Sequence, residues 1–214
     1  PGYLDFTQAF HSGDDIKREI YAAQPHDAPL PGYSPRQLLK LLKTCYGLLD
    51  GPYAWYQHLK GVLLKLGYEC SAADPCLFYL FNPERQLQGI ISVATDDLLH
   101  GGTEQHWKNM KWINENYKLG KFTQGNGRFV GKEIVCQKDG TFLVHQPLYT
   151  QKLQPIKLDS LRKKQKYAYC TEEEISQLRG LLGGLAWLAK ETRPDLAGRV
   201  AILQQSMPRP YIQD

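Results

Sequence analysis

The sequence feature that most constrains the fold is an apolar segment, residues 89–102, that is interrupted by two adjacent carboxylates. An Ile- and Val-containing run leads up to Asp96 and Asp97, and Leu98-Leu99 follows before a Gly-Gly pair. β-Branched and apolar runs on both sides of a short polar break are typical of a β-hairpin, here with the acids at its tip. The alternative is an Asp-rich turn that is held only by local hydrogen bonds.

Two carboxylates held close together predict a cation site. Like charges repel, so the pKa of one acid rises unless a cation lies between them. Oxygen ligands suit Mg²⁺ or Mn²⁺ better than zinc. A third acid, Asp5, stands inside an apolar pattern over residues 3–10 that predicts a strand. A buried carboxylate is costly unless it is paired or binds metal, although an edge-strand Asp that faces water is the alternative.

The remaining pattern predicts an α+β chain with a mixed front part and a helical back part, divided near residue 146. Spacings of three and four, capping residues and turn signals define the other elements. Helices are predicted over 52–66, 104–118, 148–153, 171–190 and 194–207, and strands over 76–81, 89–95, 128–135 and 141–145. Residues 24–35 hold four prolines and are predicted to be a loop.

Composition limits the chain to an ordinary globular protein. Its 214 residues, 42% hydrophobic and 22% charged, suit one large domain or two small ones. The net charge of +4 allows a polyanionic partner without requiring one. Five separate cysteines with no Cys-x-x-Cys pair predict reduced thiols, an intracellular protein and no zinc site. No apolar run approaches the length of a membrane span, so we expect no membrane contact.

Two further features have both a structural and a functional interpretation. The segment 157–166 carries five basic residues against a single acid, which is typical of a solvated loop but would contact phosphates beside a nucleotide site. Trp55 and Tyr56 begin a predicted helix, where either ring could stack on bases or pack in the core. The chain starts without Met in a predicted strand, so we expect a piece of a longer protein.

A series of short stretches follows in a specific order along almost the whole chain. They are Leu4-Asp5, Ala9-Phe10, Glu19-Ile20-Tyr21, Gln24-Pro25, Tyr46-Gly47-Leu48, Ala54-Trp55-Tyr56, Leu77-Phe78, Asp96-Asp97, residues 128–134, Gln146, Tyr149, Gly184-Leu185 and Arg193-Pro194-Asp195. Each stretch is weak evidence alone. In this order and spacing they resemble the reverse transcriptase of copia-type LTR retrotransposons.

This resemblance implies a fold and a reaction. The fold would be a polymerase palm over residues 1–146, a split βαβ unit whose antiparallel sheet has helices on one face and which includes the primer-grip hairpin. A helical thumb or connection would follow over 147–214, with the fingers largely missing before residue 1. The reaction would be RNA-directed DNA polymerisation, in which two Mg²⁺ ions, or Mn²⁺, assist nucleotidyl transfer from a deoxynucleoside triphosphate to a primer 3′-hydroxyl.

The resemblance also assigns roles to individual residues. The catalytic, metal-binding acids would be Asp5, Asp96 and Asp97, and the backbone carbonyl of Phe6 would be a further metal ligand. The nucleotide-binding residues would be Phe10, Tyr46 and Gly47, with Phe10 excluding a 2′-hydroxyl. The primer grip would be Phe129, Val130, Gly131, Lys132 and Glu133, and the contacts to the nucleic-acid backbone Arg162, Lys163, Lys164 and Lys166.

Departures from the family pattern keep alternatives open. Ala94-Thr95 stands where the family has Tyr-Val or His-Val. Leu49-Asp50-Gly51-Pro52-Tyr53 stands where the family has Lys-Gln-Ala-Pro-Arg, which removes two cations and adds an acid. A decayed or repurposed copy that binds nucleic acid or a partner without catalysis is therefore a second hypothesis, and another palm enzyme such as a nucleotidyl cyclase is a third. The family's partners would be an RNA template, a DNA primer and the rest of a Pol polyprotein, with fingers, integrase and ribonuclease H. Its location would be a cytoplasmic virus-like particle.

Overall fold

A computed structural model describes residues 1–27, 30–34, 36–207 and 209–213. The chain divides into two compact units, residues 1–127 and 128–214. The first contains a six-stranded sheet and helices, and the second contains a three-stranded sheet followed by helices. The predicted α+β class with antiparallel pairing is confirmed, whereas the division into palm and thumb remains a prediction.

The first unit is built on eight strands and three helices among the described residues. The strands are β1 Gly2–Phe6, β2 Tyr21–Ala22, β3 Leu39–Lys40, β4 Tyr68–Cys70, β5 Leu77–Phe81, β6 Leu87–Ala94, β7 Asp97–Gly102 and β8 Leu119–Gln124. The helices are α1 Ala9–Ser12, α2 Gly51–Lys65 and α3 Glu104–Asn116. The six-stranded sheet has the order β4-β5-β6-β7-β1-β8, and β2 pairs with β3 separately. The amino-terminal strand therefore lies beside the predicted hairpin.

One face of the six-stranded sheet packs against α2 and α3. Leu4, Phe6 and Leu98 from alternate strand positions share a buried cluster with helical side chains such as Leu63 and Met110. Because successive strand residues point to opposite faces, the odd-numbered positions between them lie on the other face. The acids of β1 and β7 therefore avoid the apolar core, which removes the cost of burying them there.

Sequence patterns predicted the long elements well and the short ones poorly. The helices α2 and α3 and the β6-β7 hairpin are confirmed. The strand predicted over 3–10 is wrong beyond Phe6, because Gln8 takes a left-handed φ of 58° and α1 follows. Strand β8 was not predicted, because the residues of Leu119–Gln124 do not alternate regularly between apolar and polar. Five of its six residues are exposed.

The second unit begins with a small antiparallel sheet. Strands β9 Gly127–Phe129, β10 Lys132–Cys136 and β11 Phe142–His145 have the order β11-β10-β9. The predicted strand over 128–135 is therefore two strands, separated by a turn. This sheet groups with the following helices in the compact unit 128–214, while the predicted division into palm and thumb near residue 146 stays a prediction.

The helices of the second unit follow the sequence signals closely. They are α4 Pro147–Lys152, α5 Glu172–Glu191 and α6 Ala197–Gln205, with short 3₁₀ turns at Arg162–Lys164 and Pro194–Leu196. The predicted capping box of α5 is present: the Glu174 amide donates to the Thr171 hydroxyl, and the Thr171 amide donates to the Glu174 carboxylate. Among the described residues, no helix is long and apolar enough to cross a membrane.

Gly102 ends the central hairpin at a point of close backbone approach. A Cβ added there would lie 2.7 Å from the Gly89 Cα and the same distance from the His106 Cβ, and would overlap the Gln88 carbonyl oxygen. Backbone atoms cannot move aside cheaply. We expect Gly102→Ala to lower the free energy of unfolding by about 3 kcal/mol, measured by chemical denaturation.

The neighbouring glycine provides the matched control for this prediction. A Cβ on Gly101 would meet nothing within 4 Å. Gly101→Ala should therefore change the unfolding free energy by no more than about 0.5 kcal/mol. Equal effects of the two substitutions would contradict the close packing of Gly102.

Candidate active site

The three predicted acids meet at one end of the hairpin. In the antiparallel register of β1 and β7, Asp5 lies directly opposite Asp97. Asp96 is in the two-residue turn that joins β6 to β7, because Ala94 pairs with Asp97. All three side chains belong to residues of intermediate exposure. The structure therefore places Asp5 opposite Asp97 and Asp96 in the adjoining turn, all three at partly exposed positions, while their role as catalytic acids stays a prediction.

The turn that carries Asp96 is held by hydrogen bonds from two other elements. The Phe6 amide in β1 donates to the Asp96 carbonyl over 3.0 Å. The Trp55 indole Nε1–H in α2 donates to the Thr95 carbonyl over 2.9 Å. Thr95 has a left-handed φ of 57°, which is an outlier for a β-branched residue. The hairpin tip is thus a strained turn whose two backbone carbonyls are both engaged.

The electrostatics of the site disfavour the charged form of Asp97. Partial burial is the largest cause that raises the pKa of its carboxyl, followed by the charges of Asp5 and Asp96, while Lys121 acts in the opposite direction. Lys121 lies in β8 opposite Asp5. At the preceding position, a Cβ on Gly120 would lie 2.8 Å from the Asp5 Oδ2, so the absence of a side chain leaves room for that carboxylate.

The residues at the hairpin tip suit a hard divalent cation in their chemistry. Three carboxylates supply the oxygen ligands that Mg²⁺ and Mn²⁺ prefer. Burial first, and then the like charges of Asp5 and Asp96, raise the pKa of Asp97, and a bound cation would neutralise those charges. Within the part of the chain that the structure describes, however, no three Asp, Glu, His or Cys residues are already arranged as a metal cluster. The predicted two-metal site therefore stays a prediction that the ligand types support.

Two of the three predicted nucleotide-binding residues are in contact. The rings of Phe10 and Tyr46 meet edge to face with their centroids 4.7 Å apart. Phe10 is buried, and the Thr44 hydroxyl donates to its carbonyl over 2.8 Å. Tyr46 is 64% exposed, and Gly47 follows it with a φ of 96° that favours glycine. The exposed Tyr46 ring is thus supported from behind by Phe10, while a nucleotide contact remains a prediction.

The side chain of Phe6 lies in the hydrophobic core of the first unit. Its ring is 2% exposed and packs edge to face on Trp55, with centroids 4.9 Å apart. The predicted metal contact concerned the Phe6 carbonyl, which stays a prediction. The register between β1 and β8 shifts between Asp5 and Phe6, which indicates a β-bulge beside the first acid. Bulges of this kind re-aim neighbouring groups at functional sites.

The predicted primer grip forms a tight turn in the second unit. Val130 and Gly131 connect β9 to β10 with φ values of 48° and 74°. Positive φ at both central residues defines a type I′ hairpin turn, for which Asn-Gly is the favoured pair. Lys132 forms an ion pair with Glu191 of α5, where both side chains are largely buried. Within this unit, one predicted primer-grip residue therefore has a structural role in fixing the hairpin.

The strained turn makes a stability prediction. Val130→Asn should raise the free energy of unfolding of the second unit by about 1 kcal/mol, because Asn adopts left-handed φ at lower cost than valine. The control is Val144→Asn, since Val144 has similar exposure but lies in the extended strand β11. That substitution should be destabilising, because Asn is disfavoured in strands. Urea unfolding of both variants tests the turn, and destabilisation by Val130→Asn would contradict its geometry.

The four basic residues predicted to contact the nucleic-acid backbone divide into one arginine that bonds within the second unit and three exposed lysines. Arg162 donates to both carboxylate oxygens of Glu174 over 2.7 and 2.8 Å, and to the Tyr169 carbonyl over 2.8 Å. The hydrogen bond from Arg162 is the main cause that lowers the pKa of Glu174 to about 2. Arg162 therefore anchors the start of α5, whereas the exposed residues Lys163, Lys164 and Lys166 remain available for phosphates.

Sequence reasoning did not identify three residues that shape the candidate site. Lys121 and Gly120 lie in β8, a strand that the sequence did not predict. Trp55 was assigned either to the core or to base stacking, and it is 1% exposed while also bonding the hairpin tip. Its position one turn into an amphipathic helix indicated burial. No local signal indicated the hydrogen bond, because Trp55 and Thr95 are far apart in sequence.

Comparisons with known proteins identify the family of the chain. The family "Reverse transcriptase (RNA-dependent DNA polymerase)" matches residues 2–164. The chain is similar to the "Retrovirus-related Pol polyprotein" of two Arabidopsis thaliana transposons, RE1 at 28% identity and RE2 at 27%, over 97% of its length. It also matches the one from the Nicotiana tabacum transposon TNT 1-94, at 30% identity over 48% of the chain. It spans 14% and 15% of the length of the two Arabidopsis relatives.

Proposed function

Since the chain belongs to the reverse transcriptase (RNA-dependent DNA polymerase) family of copia-type retrotransposons, we propose that it contributes the catalytic acids of a Pol polyprotein that extends a DNA primer on an RNA template. The observation that carries this proposal is the register of Asp5 opposite Asp97 beside the turn of Asp96. The family match covers all three acids. A turn with isolated aspartates would have no reason to face a third acid from a distant strand.

The proposed mechanism uses the hairpin as a rigid support for charge. The carboxylates of Asp5, Asp96 and Asp97 would hold divalent cations at one end of the sheet. Bound Mg²⁺ ions would supply charge neutralisation during transfer of the phosphoryl group. The protein itself contributes positioning rather than covalent chemistry. The strands β1 and β7 supply that positioning, because ladder hydrogen bonds fix Asp5 and Asp97 in register.

Other predicted residues complete the proposal. The exposed ring of Tyr46, backed by Phe10, would contact the sugar and base of the incoming deoxynucleotide. The β9-β10 turn would contact the primer, and Lys163, Lys164 and Lys166 would contact phosphates without reading sequence. We further propose that the remainder of a Pol polyprotein is the chain's partner and that a cytoplasmic virus-like particle is its location. The proposed contacts are supported by the family and by the exposure of Tyr46 and the three lysines, and the partner and location by the family alone.

Primer extension tests the proposal. The polyprotein region that contains this chain, expressed with its flanking sequence, should incorporate deoxynucleotides on an RNA template in the presence of Mg²⁺. Asp96→Asn should lower the rate by about 10³-fold, the effect of removing one preorganised charged group. Asp27→Asn is the matched control, because the Asp27 side chain is fully exposed. Equal activity of wild type and Asp96→Asn would exclude polymerisation at this site.

The same experiment addresses the decayed-copy hypothesis. A region that binds a primer–template duplex but incorporates no nucleotide with either Mg²⁺ or Mn²⁺ would favour a binding role. Ala94 and Thr95, which replace the aromatic-valine pair of the family, are then the first positions to restore. Recovery of incorporation on restoring the pair would show that the acids themselves are competent.

A further inference from the structure

Trp55 is held against the hairpin tip by a specific hydrogen bond. It lies in the first turns of α2, is 1% exposed, and donates its indole N–H to the Thr95 carbonyl over 2.9 Å. Thr95 immediately precedes Asp96 and has a φ of 57°. L-residues with a branched Cβ rarely adopt this conformation, so the surrounding structure must hold it in place. Among the described residues, the Trp55 indole N–H is the side-chain group that bonds to the Thr95 carbonyl.

The Trp55 ring also supports the second bond at the tip. Its edge-to-face contact with Phe6 places the two rings 4.9 Å apart. The Phe6 amide in turn donates to the Asp96 carbonyl over 3.0 Å. One residue therefore contacts both carbonyl anchors of the turn, the first directly and the second through Phe6. Loss of Trp55 would therefore weaken the anchoring of the peptide units on both sides of Asp96.

The Trp55 ring also contacts His58, which belongs to a set of hydrogen-bonded polar side chains. The His58 ring lies parallel to it at 5.7 Å, and His58 is itself bonded to Asp14 and to the Tyr117 hydroxyl, each over 2.9 Å. Tyr117 also packs edge to face on Phe6. The indole is thus fixed on several sides. Its N–H cannot turn away from Thr95 without disturbing these contacts.

We propose that Trp55 is a positioning residue that fixes the strained hairpin tip and thereby sets the orientation of Asp96 and Asp97 for cation binding. The cation part of this inference rests on the proposed function. The positioning part depends only on the hydrogen bond and ring contacts of the described residues. Groups that orient metal ligands typically change metal affinity by 10- to 100-fold when they are removed.

Trp55→Phe removes the N–H donor and keeps an aromatic ring in contact with Phe6, but the smaller ring also reduces the packing, which the rescue variant below separates from the loss of the hydrogen bond. The metal-free readout is hydrogen exchange of the Phe6 amide, which bonds to the Asp96 carbonyl. Its protection should fall about tenfold in the variant, the loss expected for one buried hydrogen bond. Trp112→Phe is the matched control, since Trp112 is 42% exposed in α3. Unchanged protection of the Phe6 amide in Trp55→Phe would overturn the inference.

Rescue by Thr95→Gly distinguishes positioning from general packing. Glycine adopts a positive φ without strain, so the tip should no longer need the indole. In the background of Trp55→Phe, Thr95→Gly should restore the protection of the Phe6 amide to within about twofold of wild type. A variant that is merely less well packed in the core would gain nothing from a change at the tip. Absence of rescue would overturn the positioning role.

Titration with Mn²⁺ tests the link to the site. The wild-type chain should bind Mn²⁺, and Trp55→Phe should weaken that binding about tenfold, with Trp112→Phe unchanged. Among the four tryptophans, the indole N–H signal that disappears in Trp55→Phe should be the one most broadened by bound Mn²⁺. Wild-type binding with unchanged affinity in Trp55→Phe would overturn the inference. Normal tip protection with no Mn²⁺ binding even in the wild type would instead count against the proposed function.

Discussion

The Asp97→Asn variant should unfold at a higher temperature than the wild-type chain when divalent cations are absent. Asp97 faces Asp5 across the strand pair, and its pKa is raised first by burial and then by the charges of Asp5 and Asp96. Removing a like charge directly opposite another should stabilise the sheet by on the order of 0.5–1 kcal/mol. That corresponds to about 2–3 °C in a chain of this size.

Added divalent cation should reverse the order of the melting temperatures, so that the wild-type chain melts above Asp97→Asn. At a concentration of about 100 times its Kd, a cation that binds only the folded state stabilises by about 2.7 kcal/mol, or roughly 5–10 °C. The wild-type chain should show this rise with Mn²⁺ or Mg²⁺, and Asp97→Asn should show less than about 2 °C of it. In the longer polyprotein region, the same substitution should lower primer extension by about 10³-fold.

The pH dependence follows from the direction of the Asp97 shift. A carboxyl whose pKa is raised in the folded state adds stability while it is protonated, and this stability is lost as the pH rises through the folded pKa. The advantage of Asp97→Asn should therefore be full at neutral pH and disappear below the ordinary carboxyl pKa of 3.8. Asp27→Asn, at a fully exposed position, should show no such trend. A lower melting temperature of Asp97→Asn at pH 7 without cations would contradict the proposed repulsion.

Acidification between pH 6.5 and about 4 should cost the first unit several kcal/mol of stability through two buried histidines. The Tyr68 hydroxyl lies 2.8 Å from His106 Nδ1, and His106 Nε2 lies 2.9 Å from His100 Nδ1. All three residues are at most 2% exposed. Burial is the main cause that lowers the pKa of His106 to about 4 and that of His100 to about 3. Both imidazoles are therefore neutral in the folded chain at neutral pH.

The sign of this effect is opposite to that of Asp97. Because the folded pKa values lie below the ordinary 6.5, the unfolded chain binds more protons, and stability falls as the pH drops below 6.5. Each histidine should contribute a slope of up to about 1.4 kcal/mol per pH unit. Urea unfolding across this range measures the slope. His106→Gln should reduce it, whereas His26→Gln should not, because the His26 side chain is fully exposed.

A direct observation of the imidazoles keeps this prediction independent of variant folding. Of the six histidines in the chain, two should give NMR signals that do not titrate between pH 7.5 and about 5. Titration of His100 and His106 near 6.5 in the folded protein would contradict the burial of these two hydrogen-bonded histidines. The Nε2 atom of His100 has no hydrogen-bond partner among the described residues, which adds to the cost of charging this site.

Local sequence patterns were enough to predict the parts of the protein that depend on neighbours along the chain. The periodicity of α2 and α3, the apolar runs around Asp96-Asp97 and the capping box of α5 are local signals, and all of them are confirmed. Local patterns work here because each element buries one continuous face. The family was also identifiable from motif order, since motifs persist where individual residues diverge.

The parts of the site that depend on residues far apart in sequence could not be predicted from local patterns and are visible only in the folded chain. The unpredicted strand β8 exists because β1 offers it a partner, and it brings Lys121 and Gly120 to Asp5. Arg162 was predicted to contact phosphates, and only the folded chain shows that its donors also bond to Glu174, Gln165 and the Tyr169 carbonyl. Trp55 reaches Thr95 only after α2 packs on the sheet. Such pairings follow from packing and hydrogen-bond satisfaction across the whole fold, which no local pattern of residues encodes.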